Sequence, residues 1–121
     1  MEVKAITKYV RLSASKARDL TRAIQGRSVG EAIALTAGNR RKAAFQVAKT
    51  LKSAIANAEN NAKLSVDKLF VKEAVAEEGP RMKRYWPRSR GMVSHIQRRL
   101  CHIRIILSDG KQEAPVSAEN K

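Results

Sequence analysis

At 121 residues the chain has room for one domain with a single modest core. Twenty-five lysines and arginines against eleven acids leave a formal charge of +14, with a pI near 10.7, which points to a polyanionic partner. A membrane surface is the rival polyanion, yet no run of about 18 apolar residues occurs, and no single helix sets a basic face against a broad Trp/Phe/Leu face. The apolar share is 43%, but eighteen of those residues are alanine, so the bulky core is smaller than that share suggests. The opening Met1-Glu2-Val3-Lys4 lacks the apolar segment of a secretory signal, and its acid disfavours a transit peptide. The lone Cys101 leaves no internal disulfide and reads as a small buried hydrophobe in a reducing cytoplasm.

In chain order, residues 2–11 carry Val3, Ala5, Ile6, Tyr9 and Val10 in imperfect alternation, the pattern of a strand. Ser13 or Ser15 can cap a helix running to about Gln25, which Gly26 stops. Ala17, Leu20 and Ile24 share one face of it, while Lys16, Arg18 and Arg22 fall largely elsewhere and stay solvated or meet a ligand. Ser28 and Glu31 form an S-x-x-E capping box opening a short helix with Ala32, Ile33 and Leu35. Gly38-Asn39 breaks that helix, and Asn39 can cap the next. The third and longest helix, about residues 40–60, repeats Ala44, Val47, Leu51, Ile55 and Ala58 at spacings of three and four. Arg40, Arg41, Lys42, Lys49 and Lys52 make its first half basic, with no acid between Glu31 and Glu59. Cations oppose the helix dipole at that end, so an anionic ligand there would be doubly favoured; an ordinary solvated face is the alternative.

Asn60-Asn61 and Ser65-Val66-Asp67 mark a loop. Leu69, Val71 and Val75 then alternate in a strand reaching Glu78, where Gly79-Pro80 punctuates it. Residues 79–108 hold eight cations and no acid: Arg81, Lys83, Arg84, Arg88, Arg90, Arg98, Arg99 and Arg104. Like charges so crowded repel one another, and an array of phosphates reverses the sign of that term. Met82, Tyr85, Trp86, Pro87, Met92, Val93 and Ile96 lie among them, a composition too apolar for a disordered basic tail. The segment reads as an ordered arm turning between Pro87 and Gly91 and returning to Ser108. On the return strand Cys101, Ile103, Ile105 and Leu107 share one face and His102, Arg104 and Ile106 the other. Each half of the arm, of about ten residues, spans roughly 33 Å at strand rise, against a radius of gyration near 14 Å for a globule of this length, so it must project. The reading is an α+β fold, with three helices on a small antiparallel sheet and a long extended β-hairpin arm. Residues 1–110 read as a single domain, with a body of 1–78 plus strand 101–109 and an arm of 79–100; residues 111–121, with Pro115 and few bulky apolar side chains, read as a flexible tail.

Catalytic chemistry finds no support. His95 and His102, seven apart on a strand, point to opposite faces, which suits neither a metal pair nor an acid/base pair. One cysteine does not make a zinc site, and no phosphate loop, H-E-x-x-H or G-x-S-x-G occurs. Glu77-Glu78 reads as a solvated strand end. No cofactor, metal or homo-oligomer is expected. Among nucleic acids, a DNA-reading helix would need base-reading polar side chains on a well-capped helix, and none of the three helices has them. Structured RNA is met through shape, phosphates, 2′-OH groups and stacking on aromatic or guanidinium planes. Candidate RNA-binding residues are Arg11, Lys16, Arg18, Arg22, Arg40, Arg41 and Lys42 in the body. In and beyond the arm they are Arg81, Lys83, Arg84, Tyr85, Trp86, Arg88, Arg90, Arg98, Arg99 and Arg104. Burial at the base of the arm is the other reading of Trp86.

Three stretches then carry a family resemblance: Arg11-x-Ser13-x-x-Lys16-x-Arg18; the run from Ser53 to Asn60; and Glu78-Gly-Pro80-x-Met82-Lys-Arg84-x-x-Pro87-Arg-x-x-Gly91 followed by His102-Ile103. Together they resemble the family of ribosomal protein twenty-two of the large subunit, in collinear order over about residues 2–109. The resemblance implies a structural, non-enzymatic ribosomal component, located in the cytoplasm in the ribosome. It implies contact with several domains of large-subunit ribosomal RNA, and a hairpin lining the nascent-peptide exit tunnel. Neighbouring large-subunit proteins and the nascent polypeptide are the implied further partners. Carried over, the tunnel-lining residues are Met82, Lys83 and Arg84 on the inward strand and Arg88, Ser89, Arg90, Gly91 and Met92 around the tip. Met92 and Val93 depart from the basic or small residues usual there. A free-standing RNA chaperone or a nonspecific, nucleoid-type DNA-binding protein is the alternative.

Overall fold

Three strands and three helices make up the computed structural model, which describes residues 2–109; the tail at 111–121 lies outside the described residues. The order is β1 (Glu2–Val10), α1 (Ala14–Ile24), α2 (Val29–Ala37), α3 (Lys42–Asn60), β2 (Phe70–Pro87) and β3 (Val93–Ser108). One-turn 3₁₀ segments occupy Val66–Lys68, before β2, and Ser89–Gly91, between β2 and β3. β3 is the central strand of an antiparallel sheet ordered β1-β3-β2. Its period-two pattern explains that place, since Cys101, Ile103, Ile105 and Leu107 are wholly buried beneath the helices. α1 lies against β2, and α3 against β1 and β3. The alanines at 44, 54 and 58 let the α3 backbone approach the sheet closely, with Val47 and Leu51 filling the space between them. Thr7 and Thr50 join β1 to α3 through their hydroxyls, 2.8 Å apart. Truncating a core member such as Ile103 or Leu51 to alanine would cost about 2–5 kcal/mol.

Helix ends follow the expected chemistry in part: Ser13 stands at the N-cap of α1 as expected, but neither its hydroxyl nor that of Ser15 caps the helix, the two hydroxyls instead lying 3.4 Å from each other. Gly26 takes a left-handed φ of 84°, and its N–H turns away from α1 to the Val71 carbonyl at 2.8 Å, so the stop also stitches the helix to β2. Ser28 Oγ accepts from the Glu31 N–H at 3.3 Å, as expected of the capping box. The reciprocal bond differs, because Glu31 Oε1 accepts from the Ser28 hydroxyl rather than from its backbone. α3 begins at Lys42, two residues later than its charge pattern suggests. Asn39 Oδ1 accepts from the Arg41 N–H at 2.9 Å, capping the turn before the helix instead of the helix itself.

Bulges account for the remaining differences. The expected alternation of Val71 with Val75 fails, because the β2–β3 register shifts between Val71 and Glu73. Beyond that extra residue Ala74 and Ala76 face the core and Val75 is left half-buried. A second shift lies between Glu78 and Arg81, where Gly79 and Pro80 together oppose Leu100. β2 therefore does not end at Glu78. It passes through the bulge and pairs with β3 in unbroken register from Arg81↔Arg99 to Pro87↔Val93, making the hairpin arm. At the tip the Arg88 N–H donates to the Met92 carbonyl at 2.7 Å, with Arg90 and Gly91 at φ of 60° and 71°.

Candidate nucleic-acid interface

Pairing register decides which arm side chains act together, since cross-strand partners share a face. Met82, Arg84 and Trp86 stand with Arg98, Ile96 and Ser94 on one face; Arg81, Lys83 and Tyr85 stand with Arg99, Gln97 and His95 on the other. Both faces are therefore cationic; the second is exposed throughout, while on the first Met82, Ser94 and Ile96 are half-buried between exposed Arg84, Trp86 and Arg98. Tyr85 is 74% exposed and its ring centroid lies 5.2 Å from that of His95. Trp86 is 48% exposed near the tip, not buried at the arm's base, and the Arg88 guanidinium sits 5.9 Å from its ring. Such flat groups beside guanidinium planes suit stacking of unpaired bases.

Where the arm leaves the body, the fold brings distant segments together. Arg11 and Ser13 follow β1, Lys16 lies on α1, Lys42 opens α3, and Arg84, Arg98 and Arg99 come from the arm; with Met82 they line a cleft of about 570 Å³. Six cations from separate parts of the sequence thus face one space, and no carboxylate lines it. Lys42 Nζ donates to the Arg11 carbonyl at 3.0 Å, tying α3 to the end of β1. Glu78 stands at the rim of the arm, 3.1 Å from Arg81 and 3.9 Å from Arg99. These pairs are half exposed, and such pairs contribute only about 0–1 kcal/mol, so phosphates can displace them.

The other candidates are dispersed. Arg18 Nε donates to the Ala76 carbonyl at 3.2 Å, fastening α1 to β2. Arg22 is exposed in the last turn of α1, where a cation suits the helix dipole. Arg41 pairs with Asp19 at 3.2 Å, and Arg40 is exposed beside it. Arg104 differs in kind: it lies across the face of the sheet opposite the helices, 3.4 Å from Glu73 and 3.1 Å from Glu77. Its Nε is buried without a hydrogen-bond partner. Ser89, Arg90, Gly91 and Met92 form the exposed tip, with Met92 at 66% exposure, while Lys83 is exposed mid-arm. Sequence reasoning missed Leu12, Ser13, Gln97 and Leu100 as cleft-lining residues, and read Met82 only through the family. A usable signal existed, since a strand ending at Arg11 next to a hairpin must set Leu12 and Ser13 near the hairpin's base.

A cleft lined by converging cations and no carboxylate, with a projecting arm charged on both faces, defines a protein made to grip a polyanion, and the described residues hold no cluster of metal-ligating side chains. The family model described as ribosomal protein L22p/L17e matches residues 5–108, and the chain belongs to that family. It is 52% identical to the large ribosomal subunit protein uL22 of Akkermansia muciniphila over 109 residues, covering 90% of this chain and 97% of that one. It is 51% identical to uL22 of Opitutus terrae (91% and 97% covered) and 48% identical to uL22 of Thermotoga sp. strain RQ2 (93% and 71% covered). As a member of this family the chain is a structural, non-enzymatic constituent of the large ribosomal subunit.

Proposed function

We propose that the chain binds large-subunit ribosomal RNA through the cleft and both faces of the arm, supports assembly of that RNA, and lines the nascent-peptide exit tunnel with the hairpin. In this reading a body of 1–78 with strand 101–109 docks and an arm of 79–100 threads. The observation that carries this reading is the cleft, in which Arg11, Lys16, Lys42, Arg84, Arg98 and Arg99 converge without a carboxylate. Such an arrangement raises the energy of the free protein by self-repulsion and lowers that of the complex by releasing counterions from RNA. The tip residues Arg88, Ser89, Arg90, Gly91 and Met92, together with Met82, Lys83 and Arg84, are the groups assigned to the tunnel wall. Neighbouring large-subunit proteins and the nascent polypeptide are the further partners, in cytoplasmic ribosomes.

Salt-dependent binding to ribosomal RNA, paired with co-sedimentation, tests this. The wild-type chain should stay with large subunits in moderate salt, and Arg84→Ala and Arg98→Ala should each flatten the log–log salt slope by roughly 0.7–0.9. Unchanged slopes in both variants would refute the phosphate contacts. A chain that washes off the particles while still binding any nucleic acid would be a free-standing chaperone or nonspecific binder instead.

A further inference from the structure

At the start of α3, residues of α2 and α3 and the turn between them line a second recess of about 350 Å³, which shares no lining residue with the cleft. We propose that this recess takes one unpaired nucleotide of RNA, its base stacked on Phe45 and its phosphates held by the surrounding cations. The inference deepens the RNA-binding reading above and rests on it.

Phe45 is the starting point. It is 63% exposed on α3, and the side chains flanking it toward α2, Ala44 and Ala48, are too small to cover its ring. Ile33 of α2, 39% exposed, forms the opposite wall. Helical spacing places Lys49 and Ala48 to either side of Phe45. Lys49 Nζ lies over the ring, 5.7 Å from its centroid, and Lys49 is not among the residues that line the recess. A flat π-face open to a recess, with a cation already beside it, is an arrangement that nucleobases favour.

Charge and hydrogen-bonding capacity agree. Arg40, Arg41 and Lys52 line the recess and no carboxylate does. Among the described residues Arg41 alone of these pairs with an acid, Asp19. The first turn of α3 contains no acid, and its N-cap Arg41 makes no side-chain cap, which leaves N–H groups there for an anion. Asn39, whose Oδ1 is occupied by the Arg41 N–H, keeps its amide donors for a base edge. An acidic amphipathic helix is the rival occupant of a basic, apolar groove. It would need anchors repeating at i, i+3, i+4 and i+7 along an extended strip, whereas this recess is short, with one aromatic wall. Duplex RNA does not fit either, because its bases are stacked and present no free face. Lys42 on the cleft side and Arg40 and Arg41 on the recess side let one RNA segment pass across the start of α3.

The test is photo-crosslinking of the full-length chain with a single-stranded oligouridylate containing 4-thiouridine, with crosslinked peptides mapped by mass spectrometry. Crosslinks should appear on the arm and, separately, on the α3 segment around residue 45. In Phe45→Leu, which keeps an apolar side chain at an exposed position but removes the π-face, the α3 crosslink should fall at least about fivefold while arm crosslinks persist. Arm crosslinks without any α3 crosslink, or an α3 crosslink undiminished in Phe45→Leu, would overturn the proposal. So would displacement of the α3 crosslink by an acidic helical peptide at concentrations where an abasic ribose-phosphate oligomer of equal charge does nothing. A chain that crosslinks nowhere would instead sink the RNA-binding reading itself.

Discussion

Gly79 sits where the arm leaves the body, and replacing it with alanine puts the geometry of that junction to a quantitative test. A Cβ there would stand 3.1 Å from His102 Cε1, 3.2 Å from His102 Nε2 and 3.2 Å from the Leu100 carbonyl oxygen. Neither neighbour yields freely. Leu100 belongs to the central strand, and the His102 ring is held from the other side, where Nδ1 accepts from the Tyr9 N–H at 3.0 Å and the Tyr9 ring meets it edge-on at 5.1 Å. Forcing a methyl into such a gap costs about 1–3 kcal/mol. Relief by tilting the arm instead would be magnified along its length, since a 5° change over roughly 33 Å moves the tip by about 3 Å. Urea unfolding of the free chain gives the cost, and a double-mutant cycle with His102→Ala locates it. In the His102→Ala background two of the three close contacts vanish, so Gly79→Ala should cost at least about 0.5 kcal/mol less there, a resolvable coupling. Equal cost in both backgrounds, or no cost in either, would refute the assignment of Gly79 to close approach against His102.

Deleting Met82, Lys83 and Arg84 removes an odd number of residues from β2, so Tyr85 would come opposite Arg98 rather than His95 and every residue beyond would change face. Particles should still assemble around the body with an altered tunnel bore, read by sensitivity to tunnel-binding drugs or stalling peptides; failure of the variant to enter particles would show that the arm is needed for docking. In the free protein most side chains of the arm are exposed, and isolated hairpins are marginal in water, so limited trypsin should cut within residues 81–99 before it cuts α3. Equal protection of both regions would contradict this. Burial pushes the Cys101 thiol up from its ordinary value, so the folded chain stays protonated where the unfolded chain ionises. Its stabilising contribution is full below the unfolded pKa, about 8.5, and falls as pH rises past it. Iodoacetamide labelling at alkaline pH should therefore track global unfolding, and rapid labelling of the native chain would refute the burial.

Long periodic segments were legible in the sequence because one physical term dominates them. The α3 stripe and the alternation of Cys101, Ile103, Ile105 and Leu107 report burial directly, and the structure buries those β3 residues completely. Gly26 likewise announced a helix end through its backbone freedom. What stayed hidden depends on a single inserted residue or on long-range contact. The bulge between Val71 and Glu73 exchanges Val75 for Ala74 and Ala76, and no local propensity marks it. The α3 start could not be placed from charge, since Arg40 and Arg41 are as compatible with a turn as with a helix. For the site, sequence supplied the cations but not their grouping: Arg11, Lys42 and Arg98 meet only because β1 and the arm both flank the start of α3. Arg104 shows the converse, a cation counted with the arm that the sheet register sets between Glu73 and Glu77. The recess at Phe45 joins two helices separated by a turn, a juxtaposition that periodicity within either helix does not reveal.

The central claim, that cleft and arm together grip ribosomal RNA, is tested most directly by site-specific photo-crosslinking in assembled large subunits. A photoreactive residue would be placed in turn at Lys16 in the cleft, at Lys83 and at Arg98 on the two faces of the arm, and at Glu73 on the opposite face of the sheet. The account predicts RNA crosslinks from the first three positions, with Lys83 and Arg98 reaching different RNA segments because they stand on opposite faces, and few or none from Glu73. RNA crosslinks from Glu73 with none from Lys16 and Arg98 would contradict it.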